Sequence, residues 1–147
     1  MVDSQPMIPE PARDCKITAR LLLIEDNAPL AEATAKFLRH ADLEVRVAES
    51  GEEALQAAMT FLPEIVLCDI HLPDMSGLDV MHALRSHADT KNALLAIYSA
   101  MSDVDVRALQ LKTHSDAVNL FLSKPISMEK VERLLAALAA MRQDASS

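Results

Sequence analysis

Four places in this chain put a reactive side chain just behind a short apolar run. Glu25 and Asp26 follow Leu21-Leu22-Leu23-Ile24, and Asp69 follows Ile65-Val66-Leu67-Cys68. Ser99 follows Leu94-Leu95-Ala96-Ile97-Tyr98, and Lys124, itself followed by Pro125, comes shortly after the run that ends at Leu122. Three carboxylates held close together repel and raise one another's pKa, and a divalent cation relieves this. Mg²⁺ takes oxygen ligands in near-octahedral geometry and commonly joins carboxylates to phosphate oxygens. An Asp beside such a cation is a nucleophile toward a phosphoryl group. The transferred group carries its charge on oxygens, so its stabilisation is mainly electrostatic. The cation can take one oxygen, the ammonium of Lys124 another and the hydroxyl of Ser99 a third.

This chemistry requires the four places to converge, and the hydropathy pattern predicts how. The runs at 21–24, 65–68 and 94–98 are short and continuously apolar, as in strands buried on both faces; residues 118–122 form a further strand. Leu43, Val45 and Val47 alternate and read as a half-buried strand. Between the strands, apolar residues recur at helical spacing. Leu30, Thr34, Phe37, Leu38 and Ala41 make one stripe, with Asn27 as cap and Pro29 in the first turn. Ser50 opens a capping box with Glu53, ahead of Leu55, Ala58, Met59 and Leu62, and Pro63 stops that helix. A third helix is expected from Leu78 to His87. Residues 103–113 read as helical with a blurred stripe. Ser127 caps a last helix carrying Met128, Val131, Leu134, Leu135, Leu138 and Met141. Five strands alternating with five helices predict a doubly wound α/β fold, a parallel sheet with right-handed crossovers and helices on both faces. Such sheets place their sites beyond the carboxyl ends of the strands, where all four reactive places fall. The second strand ends less pointedly, in Glu49-Ser50.

The segments Leu23-Ile24-Glu25-Asp26-Asn27, Asp69-Ile70-His71-Leu72-Pro73-Asp74-Met75-Ser76-Gly77, Tyr98-Ser99-Ala100 and Phe121-Leu122-Ser123-Lys124-Pro125 together resemble the receiver domains of bacterial response regulators, of the chemotaxis-regulator-like kind. The resemblance covers roughly residues 19–143. It implies a flavodoxin-like (βα)5 fold with strand order 2-1-3-4-5, and Asp69 as phosphoacceptor. It further implies that Asp26 and Asp69 bind Mg²⁺, Glu25 does so through water, and the backbone carbonyl of His71 adds a ligand. Ser99 and Lys124 would contact the phosphoryl group, Phe121 would be the switch aromatic, and the Lys124–Pro125 bond would be cis. The implied donor is a sensor histidine kinase or a histidine phosphotransfer protein. The implied activity is phosphoacceptance in a phosphorelay with self-catalysed phosphorylation and dephosphorylation, rather than turnover as an enzyme. The partner surface for a downstream protein target, an output domain or a second copy would be the face of the fourth helix, fifth strand and fifth helix. His71, two residues past the acceptor, is placed to tune phosphoryl lifetime. The stretch between Ser99 and Lys124 is 24 residues and lacks a glycine before the last strand, so a shifted partner-facing helix is expected.

Composition narrows the alternatives. Net charge is −8 without a basic cluster, and aromatics are 3 % of residues, which argues against direct nucleic-acid binding and for an aliphatic core. Gly51 and Gly77 are the only glycines, which excludes a P-loop or dinucleotide fingerprint. Cys15 and Cys68 form no metal or redox motif, and Cys68 reads as a buried thiol. Met59, Met81 and Met141 read as core, while His40, His82, His87 and His114 read as surface. Membrane insertion is not expected, and the cytoplasm is the expected compartment. Residues 1–18 read as a Pro-containing arm and 144–147 as a tail. Two rival functions follow from the same residues. A non-phosphorylated docking module would need a missing acceptor or lysine, and both are present. An aspartyl phosphohydrolase of the haloacid-dehalogenase type would want a second Asp where His71 stands.

Overall fold

The computed structural model describes residues 19–112 and 116–146, so the expected arm at 1–18, Cys15, His114 and Ser147 lie outside the described residues. The described residues form β1 (Arg20–Ile24), α1 (Ala28–His40), β2 (Glu44–Ala48), α2 (Gly51–Phe61), β3 (Ile65–Cys68), α3 (Gly77–Ser86), β4 (Leu94–Ser99), α4 (Asp103–Lys112), β5 (Leu120–Ser123) and α5 (Met128–Ser146). All strand pairs are parallel and the sheet order is β2-β1-β3-β4-β5, as expected.

Alternation along the strands feeds two cores. Leu22, Ile24, Val66, Cys68, Leu95 and Ile97 face one side, where α2, α3 and α4 contribute Ala58, Phe61, Val80, Met81, Leu84 and Val106. Leu21, Leu23, Ile65, Leu67, Leu94 and Ala96 face the other, against Ala31, Ala35 and Leu38 of α1 and Val131, Leu134 and Leu138 of α5. Strands covered on both faces have no polar side, which is why they read as unbroken apolar runs. The few aromatics also serve the core: Phe61, Tyr98 and Phe121 are buried beside the aliphatic residues.

Three expectations shift. Leu62 is not on the α2 stripe. It caps the helix in the left-handed region at φ 51° and is exposed, because Pro63 ends the helix and Phe61 takes the inward position. The Arg20 guanidinium donates to the Phe61 and Leu62 carbonyls there, which a helix end otherwise leaves unpaired. β5 starts at Leu120, since the Asn119 side chain accepts from the Leu95 N–H at 2.8 Å. Met128 and Leu135 of α5 are exposed at 51 % and 37 %, so its buried stripe narrows to Val131, Leu134 and Leu138. Helix α4 spans nearly its expected range but buries only Val106, which accounts for its blurred pattern.

Candidate functional site

The register of the sheet sets the rim. Ile24, Cys68, Ile97 and Phe121 stand in one row across β1, β3, β4 and β5. Backbone pairing runs one residue further: the Asp69 N–H donates to Ile24 O at 3.0 Å and the Glu25 N–H to Ala48 O at 2.9 Å. Glu25 and Asp69 are therefore held level on adjacent strand ends. On the other side of β3, the Lys124 N–H donates to Ser99 O at 2.6 Å, which brings the end of β5 against the end of β4. The Lys124–Pro125 peptide is cis, as the resemblance implied.

Lys124 then reaches across the rim. Its ammonium donates to Asp69 Oδ2 at 2.9 Å and to Glu25 Oε1, and it stands 5.4 Å from the centre of the Tyr98 ring. Burial pulls the pKa of this amine down, but the bonds and charges of Glu25 and Asp69 outweigh that and hold it above the ordinary lysine value. Glu25 is nearly inaccessible, and its second oxygen accepts from the Asn27 N–H at 3.2 Å. Asp69 Oδ1 accepts from the His71 N–H at 3.2 Å. Asp26 is exposed, and one oxygen each from Glu25, Asp26 and Asp69 lie within 4.8 Å of one another.

This donor set fits a hard divalent cation. All three candidate ligands are carboxylates, and with Lys124 they leave a net of two negative charges. Asp26 has the accessible carboxylate suited to direct ligation. Glu25, with both oxygens engaged by protein donors, suits a role at one remove.

Ser99 is buried at the end of β4, and its Oγ accepts from the Met101 N–H at 3.4 Å. Phe121 is buried in the core cluster that contains Val106 and Ala117, not on the rim. The His71 residue is exposed, and its backbone is what engages the site. Burial, then the charges of Asp69 and Glu25, push the Cys68 thiol far up, so this neighbour of Asp69 is an inert thiol.

Sequence reasoning missed two polar anchors. The Asp74 carboxylate accepts from the Gly51 N–H at 2.8 Å and the Glu52 N–H at 2.9 Å, tying the loop after Asp69 to the start of α2. Ser123 bonds Asp103 of α4 and receives the Lys130 ammonium of α5 at 3.2 Å, tying the start of both helices to the end of β5. Asp74 lies 22 or more residues from its donors and Asp103 lies 20 from Ser123, so no local motif marks either anchor.

The sequence profile of the response regulator receiver domain matches residues 21–137. The chain belongs to this family. Among relatives of this receiver, TcrX of Mycobacterium tuberculosis, described as a transcriptional regulatory protein, is 36 % identical over 118 residues, 80 % of this chain and 48 % of TcrX. The DNA-binding response regulator MtrA of Mycolicibacterium paratuberculosis is 34 % identical over 120 residues, 81 % of this chain and 51 % of MtrA. The receiver thus spans about half the length of these curated relatives. A crystal structure assigned as a response regulator from Chloroflexus aurantiacus matches with TM-score 0.72 and 33 % identity, over 84 % of this chain and 99 % of that one. The CheY-like receiver domain from Methylobacillus flagellatus matches with TM-score 0.70 and 25 % identity, over 83 % and 99 %. No helix among the described residues of the receiver is long and apolar enough to cross a membrane.

Proposed function

We propose that this receiver accepts a phosphoryl group on Asp69 from a histidine kinase or histidine phosphotransfer protein, and that the modification changes partner binding at the face of α4, β5 and α5. The carrying observation is the Lys124 ammonium bound to Asp69 and Glu25 beside the open carboxylate of Asp26. In the transfer, an Asp69 carboxylate oxygen bonds to phosphorus as the bond from phosphorus to the donor imidazole nitrogen breaks. The electron pair of that bond stays on the imidazole. Lys124 holds Asp69 in place before transfer, and its ammonium can follow the new negative charge onto a phosphoryl oxygen. Ser99 supplies a hydroxyl donor at the neighbouring strand end. A Mg²⁺ ion held by Asp26, Asp69 and the His71 carbonyl, with Glu25 behind a water, would add positive charge against the phosphoryl oxygens.

Phosphorylation adds about −1.5 to −2 charge next to the Lys124 ammonium. Lys124 directly follows Ser123, which anchors the starts of α4 and α5, so a shift of Lys124 toward the phosphoryl group would pull on that anchor. TcrX and MtrA are named as transcriptional and DNA-binding regulators. For this chain, output through a downstream protein, a further domain or a second copy remains part of the proposal. The deciding experiment is intact mass after incubation with Mg²⁺ and acetyl phosphate, or with a phosphohistidine donor. One added phosphoryl in the wild type and none in Asp69→Asn supports the reading. An unmodified wild type with both donors makes the protein a non-phosphorylated docking module.

A further inference from the structure

The loop between Asp69 and Gly77 is closed at its base and fastened at its tip. At the base, the Gly77 N–H donates to Ile70 O at 2.8 Å, and His71 and Ser76 form an isolated antiparallel bridge. Gly77 lies so close to the backbone of Asp69 and Ile70 that a Cβ there would collide with it. At the tip, the two oxygens of Asp74 take the N–H groups of Gly51 and Glu52, while Ser50 Oγ takes that of Glu53 at 3.1 Å. The first three N–H groups of α2 are thus satisfied by two side chains, one local and one from 22 or more residues away. Met75, next to Asp74, packs onto Gly51, where a Cβ would overlap its Cγ and Sδ. These contacts matter to the acceptor because the same loop presents the His71 N–H to Asp69 Oδ1.

We infer that Asp74 is a positioning residue: by clamping the loop tip to α2, it fixes the His71 backbone that orients the Asp69 carboxylate and offers a carbonyl to the cation. The inference rests on the reading of Asp69 as acceptor. A plain helix cap is the competing account, and Ser50 provides its control. Ser50 caps the same helix turn through the Glu53 N–H, so Ser50→Ala removes a cap while leaving the Asp74 bonds in place.

The test uses the full chain and two readouts independent of phosphorylation. Amide hydrogen exchange is followed across residues 70–77 in cation-free protein, and Mg²⁺ binding is titrated by calorimetry. Asp74→Ala is expected to speed exchange through that segment and to weaken Mg²⁺ binding roughly tenfold, the size seen when a group supporting a metal ligand is lost. Asp74→Asn keeps one carbonyl oxygen and should recover part of both effects. Ser50→Ala should lower the melting temperature while leaving loop exchange and Mg²⁺ affinity at wild-type values. Asp74→Ala behaving like Ser50→Ala in both readouts overturns the inference. If Asp74→Ala does not fold, Gly51→Ala displaces the same tip through Met75; wild-type exchange and affinity in that variant would equally overturn it. A wild type that binds Mg²⁺ yet accepts no phosphoryl group defeats the function proposed for Asp69, while exchange and titration still decide the role of Asp74.

Discussion

Lys124 supplies the positive charge that pairs with both Glu25 and Asp69. Its ammonium faces one nearly inaccessible carboxylate and one mostly shielded one. Lys124→Ala therefore leaves Glu25 and Asp69 adjacent with no counter-charge, and is expected to cost about 3 kcal/mol of stability in cation-free buffer. With the proposed cation site, added Mg²⁺ should return part of that by binding the folded chain. Urea unfolding with and without Mg²⁺ reads both effects, and equal stability in the two buffers would count against the cation site. The raised pKa of Lys124 means its favourable interactions are fully present below the unfolded lysine value and fade only as pH rises through the folded one. They are thus constant across neutral pH. His71 belongs to a different class: the residue is exposed, two positions past the proposed acceptor. If Asp69 is the acceptor, His71→Asn and His71→Ala should each alter the dephosphorylation rate. Unchanged decay of the phosphoprotein in both variants would remove His71 from the mechanism.

At the scale of elements, boundaries follow caps and close approaches. Asn27, Ser50 and Ser127 were legible as caps because the donor they satisfy lies within three residues; each accepts a first-turn N–H. Asp74 was not legible, since the helix it caps precedes it by a whole strand. Two N–H bonds hold its carboxyl below the ordinary range. A depressed folded pKa gives stability that is present above the unfolded value and is lost as pH falls through the folded one. The melting-temperature gap between wild type and Asp74→Asn should therefore be open at pH 6 and close below about pH 3.9. A gap unchanged by acid would place the Asp74 charge outside the clamp. Gly77→Ala tests the base of the same loop. Its Cβ meets backbone rather than a yielding side chain, so a loss of about 1–3 kcal/mol is expected, with slower labelling of Asp69. Leu62 and α4 mark where periodicity misleads. A residue at the right spacing can still turn outward at a helix end, and a helix that buries only one side chain leaves little pattern to read.

At the scale of the whole molecule, four of the five exposed large hydrophobic side chains among the described residues lie on α4 and α5, and Leu62 is the fifth. Val104 and Leu111 are 77 % and 73 % exposed on α4, and Met128 and Leu135 are exposed on α5. Val104→Ser with Leu111→Ser should change folding stability by less than about 1 kcal/mol, because neither side chain is buried. The same pair should abolish any self-association that acetyl phosphate induces, read by light scattering on a sizing column. Wild-type association in the double variant would move the interface elsewhere. The sequence by itself determined the layered α/β class and the five strand runs, because a strand covered on both faces must be apolar throughout and the half-buried edge strand β2 alternates. It also determined the four reactive places, because the carboxyl ends of parallel strands share one rim. Only the tertiary structure decided which groups touch: that Lys124 bridges Glu25 and Asp69, that Asp74 clamps α2, and that Ser123 joins α4 to α5. All but the Ser123–Lys130 pair join residues from 20 to 99 positions apart. Sheet register and helix packing bring them together, and local hydropathy carries no record of either.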